Sequence, residues 1–184
     1  MNNQTRNHRF LQYLQQIFED KGLLTNIEKP NQEADFYTLI VRFSALGEEK
    51  NYIADLQFSF LPSVLSPYSN TPAYLIQCFS EIPVMIQPKA ERELLCLLNK
   101  INLKLPVGYF GINPNQITYF KTGVFLDQDF LNNSTLYGTL IERQCDPIIF
   151  SIDNFIDAIA QVSSGRVQTK EVLKNHGFAS LFGF

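Results

Sequence analysis

The sequence predicts an α+β fold, a mainly antiparallel five-stranded sheet with helices on one face. Three observations carry this. Two runs between Asp35 and Phe60 alternate apolar and polar residues, as strands buried on one face do. The segments Asn7 to Lys21 and Pro88 to Asn102 instead place their apolar residues at helical spacing. An Asn113-Pro114-Asn115 turn joins two further apolar runs, and strands joined by so short a turn pair antiparallel.

The chain has 184 residues, is 45% hydrophobic and carries 16 Phe and 8 Tyr. It is long enough to bury a core and too aromatic to be disordered. Residues 1–184 read as a single domain with a polar N-terminal tail (1–6) and an additional C-terminal segment (166–184). The net charge of −3 builds no basic field, so no nucleic-acid partner is expected. The opening M-N-N-Q-T-R-N-H-R has no apolar run behind it and is not a signal peptide. The longest uncharged run, Leu56 to Ser80, is interrupted by Pro62, Pro67 and Pro72 and makes no spanning helix. The expectation is a cytoplasmic protein with no membrane partner.

In order, the first helix buries Phe10, Leu14, Ile17 and Phe18, and Gly22 ends it. Ile27 to Glu33, polar and holding Pro30, reads as a loop. Tyr37, Leu39, Val41 and Phe43 then face one way, and Thr38 and Arg42 the other with Phe36 and Ile40. After a Gly-Glu-Glu-Lys turn, Tyr52, Ala54, Leu56, Phe58 and Phe60 share a face, opposite Asp55, Gln57 and Ser59. Leu61 to Thr71 is a long loop, and a third strand spans about Ala73 to Ile82, with Pro83 at its exit. Pro88 opens the second helix, a position where its missing N–H costs nothing. Its buried stripe reads as Leu94, Leu95, Leu98 and Ile101, flanked by Leu97. Strands at about Val107 to Ile112 and Gln116 to Leu126 follow. A short helix carrying Leu136, Leu140 and Ile141 is expected to stop before Pro147. Ser151 is the expected N-cap of another, with Ile152, Phe155, Ile156, Ile159 and Val162 as its stripe. A last short helix falls at Val167 to Asn175.

The run L-L-C-L-L-N-K-I-N from Leu94, then G-Y-F-G-I-N, a turn and I-T-Y-F-K, resembles the YbjN-like family, over about a fifth of the chain. That family is similar in fold to the type III secretion chaperones: a helix, a three-stranded meander, a second helix, two strands and C-terminal helices. The resemblance implies a non-enzymatic protein-binding or regulatory module, commonly a homodimer, and it brings no catalytic or ligand residues. The chain departs from the chaperones in its longer Leu61–Thr71 loop and its extra C-terminal segment.

No cofactor is implied by any motif. Asp153 and Asp157 lie four residues apart on one helix and read either as paired acids or as a solvated face. Cys145, in the turn-like R-Q-C-D-P, is the expected exposed thiol, and the two histidines, His8 and His176, leave it without an obvious base. Tyr109, Phe110, Tyr119, Phe120 and Lys121 put aromatics beside a cation on paired strands, but alternation assigns about half of those rings to the core. Gly108 and Gly111 form no phosphate loop and read as a bulge or a close backbone approach. The neutral run Leu56 to Ser80 is either a recognition surface or a core strand, a covering loop and a second core strand. The outer sheet face supplies the candidate partner surface, Phe36, Ile40, Ile53 and Leu75, with Tyr74 replacing Leu75 if the register shifts. A second copy or another protein would cover it, or the C-terminal Phe178, Leu181, Phe182 and Phe184 would fold back on it. The remaining reading is a small-ligand protein or an enzyme without a recognisable motif.

With three cysteines far apart and no Cys-x-x-Cys, the thiols read as reduced, small apolar side chains. Protein purified without added metal is expected to hold no stoichiometric zinc or iron by elemental analysis. An ion bound through Cys78, Cys96 or Cys145 would overturn that reading.

Overall fold

The computed structural model describes residues 3–32, 35–61 and 74–175. Among them the chain runs α1 (Asn3–Glu19), β1 (Leu24–Glu28), β2 (Thr38–Leu46), β3 (Tyr52–Leu61), β4 (Tyr74–Met85), α2 (Glu91–Asn102), β5 (Tyr109–Ile112), β6 (Ile117–Leu126), α3 (Ser134–Ser163) and α4 (Thr169–Asn175). The class is α+β, and the strands form one open antiparallel sheet in the order β1-β2-β3-β4-β6-β5.

The expected count of five strands is corrected to six. The added strand is β1, which overlaps the stretch read as a loop. It pairs with β2 from Leu24 opposite Arg42 to Glu28 opposite Thr38. As the first strand in the order it has one strand neighbour, so Thr25, Asn26 and Glu28 satisfy their backbone on β2 without needing apolar side chains. Helix α1 also starts earlier than expected, at Asn3, so residues 3–6 are helical.

The chain divides into two compact units. One comprises Met1–Phe43, Asp55–Phe79 and Thr122–Asp146; the other comprises Ser44–Ala54, Ser80–Lys121 and Pro147–Phe184. In the first unit, α1 lies on the β3 face that carries Phe58 and Phe60. Phe18 stacks on Phe58 with centroids 5.8 Å apart, and Phe10 meets Phe60 edge-on at 6.0 Å. Phe130 fills the space between Phe10, Phe60 and Tyr74.

In the second unit, α2 packs on β5 and α4. Pro88 begins a single 3-10 turn, Pro88–Ala90, before α2 proper. The buried stripe of α2 is Leu94, Leu97, Leu98 and Ile101, whereas Leu95 is 44% exposed. At about 100° per residue, Leu94, Leu98 and Ile101 define an arc that Leu97 borders more closely than Leu95 does. The stripe expected with Leu95 inside and Leu97 on the flank is therefore reversed. The second helical correction concerns α3, a single 30-residue helix running through Pro147. Ile141, Cys145, Ile148, Ile152, Phe155, Ile159 and Val162 are all buried, at alternating spacings of three and four, so the apolar stripe keeps its phase across the proline. That burial outweighs the roughly 3 kcal/mol that an internal proline costs. Ser151 is not an N-cap; its hydroxyl donates to the Pro147 carbonyl at 2.6 Å. Strand β4 likewise continues through Pro83 to Met85.

The G-Y-F-G spacing marks a close backbone approach. Gly108 has φ +68°, and a Cβ there would sit 2.5 Å from the Phe120 ring; one on Gly111 would sit 2.6 Å from the Tyr119 ring. The turn after β5 is held by Asn113, whose Oδ1 accepts the N–H groups of Asn115 and Ile117 at 2.9 and 3.0 Å. The segments Pro62 to Thr71 and Phe178 to Phe184, which bear on the loop, surface and fold-back expectations, lie outside the described residues.

Leu98→Ala, at a residue 2% exposed, is expected to cost about 2–5 kcal/mol in urea melts. Leu95→Ala should stay within about 0.5 kcal/mol of the parent, as surface changes do. Equal losses at both positions would contradict the buried stripe of α2.

Candidate functional site

The first unit presents a mixed apolar and polar surface on the sheet face away from α1. Registers and alternation determine its residues. Leu24, Asn26 and Glu28 of β1 lie opposite Arg42, Ile40 and Thr38 of β2, and side chains that pair across antiparallel strands share a face. Arg42 crosses to β3, its Nε donating to Asp55 Oδ1 and its Nη2 to Asp55 Oδ2, each at 2.8 Å. This two-pronged contact raises the Arg42 pKa further, through the hydrogen bond to Asp55 and its charge. The Thr38 and Ser59 hydroxyls share a buried hydrogen bond of 2.9 Å. Between β3 and β4, Leu61 is opposite Leu75, Ser59 opposite Gln77 and Gln57 opposite Phe79. A shallow groove of ≈ 320 Å³ opens where Leu24, Asn26, Glu28, Ile40, Arg42 and Asp55 meet.

The four expected surface residues fall out as follows. Ile40 lines the groove, half-buried. Leu75 is half-buried on β4, opposite Leu61. Phe36, also half-buried, lies in a bend just before β2. Ile53 belongs to the second unit and is 48% exposed. The register places Leu75 on this face, and the alternative residue, Tyr74, is buried beneath α1 against Phe130. Sequence reading missed Leu24, 71% exposed, together with Asn26 and Glu28, because the loop expected from Ile27 takes in the end of their strand and Leu24 to Asn26 were assigned to no element. The alternation of Thr25 and Ile27 against Leu24, Asn26 and Glu28 was the available signal.

The residues weighed for catalysis take structural positions. Asp153 Oδ1 accepts the Gly47 N–H and Asp157 Oδ2 the Glu48 N–H, both at 2.7 Å, and Lys50 Nζ lies 3.2 Å from Asp153. These two carboxylates therefore clamp the turn between β2 and β3 and are more than a solvated face. Phe110 and Phe120 are buried edge-to-face at 5.1 Å. Tyr109 and Tyr119 meet at 6.1 Å, and Lys121 pairs with Tyr109 across the strands. A second groove, of ≈ 330 Å³ in the second unit, is lined by Lys89, Glu93, Arg166 and Glu171 among others. There Glu93 is engaged by the Thr169 N–H and Glu171 by the Gln168 N–H. Among the described residues no group of three His, Cys, Asp or Glu is arranged to hold a metal, and no helix is long and apolar enough to cross a membrane.

The cysteine expectation is corrected. Cys145 is 3% exposed inside α3, and its Sγ donates to the Ile141 carbonyl at 3.3 Å. Cys96 is the exposed thiol. Burial, aided by the Asp146 and Glu142 charges, pushes the Cys145 thiol up from 9.0 to about 12, and burial also raises Cys78. A thiol so protonated is a poor nucleophile.

At neutral pH a chromogenic disulfide reagent is expected to label Cys96 rapidly, and Cys78 and Cys145 only on unfolding. Rapid labelling of Cys145 in folded protein would contradict its burial. The same burial has a pH consequence. The folded chain holds the Cys145 proton more tightly than the unfolded chain, so its stabilising contribution is full below pH 9.0 and is lost as the pH rises toward about 12. The stability difference between the parent and Cys145→Ser, read from urea midpoints, should shrink across that window by up to about 1.4 kcal/mol per pH unit. A difference that does not change with pH would refute it. No protein-family model matches this chain, and neither does any curated protein or solved structure.

Proposed function

We propose that this chain is a non-enzymatic protein-binding or regulatory module of the cytoplasm, which engages a protein partner, or a second copy of itself, through the open sheet face of its first unit. The observation that carries the reading is the groove beside β1. Exposed Leu24 and half-buried Ile40 supply apolar area there, and the Arg42–Asp55 pair supplies a fixed polar element. Apolar side chains grouped with a few oriented polar groups suit a partner surface. Of the two carboxylates that line the groove, Asp55 is held by Arg42, an arrangement that suits binding. The resemblance of Leu94 to Leu126 to the YbjN-like family, and through it to secretion chaperones, points to the same class and to a homodimer.

The second reading, a small-ligand protein, draws on the groove's size of ≈ 320 Å³, which falls at the lower end of small-molecule sites. A thermal-shift screen against metabolites and nucleotides separates the two, because a saturating ligand raises the midpoint by degrees.

The direct test combines sedimentation and pull-down from the native cell, using the parent and Ile40→Glu. A charge at that position should at least halve self-association or partner capture while the urea midpoint stays near the parent's. Leu24→Glu, further out on β1, provides the control if Ile40→Glu unfolds. A parent that remains monomeric at high concentration and captures nothing that either variant loses would overturn the proposal.

A further inference from the structure

We draw no further inference here: the strongest candidate, the outward apolar stripe of α3 formed by Leu136, Leu140 and Phe150, is an unpartnered helix face, and nothing in the structure shows what covers it.

Discussion

Phe130 is the residue on which the packing of the first unit depends. It is fully buried, and its ring meets Phe10 of α1 at 5.2 Å, Phe60 of β3 at 5.4 Å and Tyr74 of β4 at 5.2 Å. Arg6 closes the group, with its guanidinium carbon 4.8 Å from the centre of the Phe130 ring and a hydrogen bond to the Tyr74 hydroxyl at 3.3 Å. Each aromatic pair adds about 0.5–1.5 kcal/mol beyond the area it buries. The larger effect is geometric. One ring touches a helix and two strands, so the seat of α1 and the faces of β3 and β4 are mutually determined. The pattern reaches the outer surface: with Phe60 and Tyr74 turned inward, Leu61 and Leu75 must point away.

The second unit relies on side chains that satisfy the backbone of its turns. Asp153 and Asp157 hold Gly47 and Glu48. The Asn102 side chain accepts the Phe110 N–H and donates to the Phe110 carbonyl, both at 2.8 Å. Glu93 receives the Thr169 N–H, and the Thr169 hydroxyl donates back to the Glu93 carbonyl at 2.7 Å. Peptide groups at strand and helix ends lack ladder partners and lose free energy if buried without a substitute. Acids that look catalytic in sequence are used here as acceptors for such groups.

The outer face of the first unit combines apolar area with polar groups that already satisfy one another. Arg42 neutralises Asp55, and Thr38 bonds Ser59. A partner approaching Ile40 would therefore meet Arg42 and Asp55 already paired with each other, and an unpaired charge is the costliest thing to desolvate at an interface.

Periodicity alone carried the class, the two helices around Phe10 and Leu98, the β2–β3 hairpin with its inward and outward residues, and the Asn113 turn. These features are local: side chains two, three or four residues apart decide them. The outward side of Ile40 was legible for the same reason, whereas the choice between Leu75 and Tyr74 waited on the strand register. The sequence also held the unbroken stripe from Ile141 to Val162, but the proline rule obscured it, since a local cost of about 3 kcal/mol cannot be weighed until the burial opposing it is known. The pairing of β1 with β2, the burial of Cys145 and the clamping by Asp153 and Asp157 required the tertiary structure. Edge pairing asks nothing apolar of a strand, a thiol's exposure depends on what packs around its helix, and Gly47 lies 106 residues from Asp153, a proximity that only the folded chain creates.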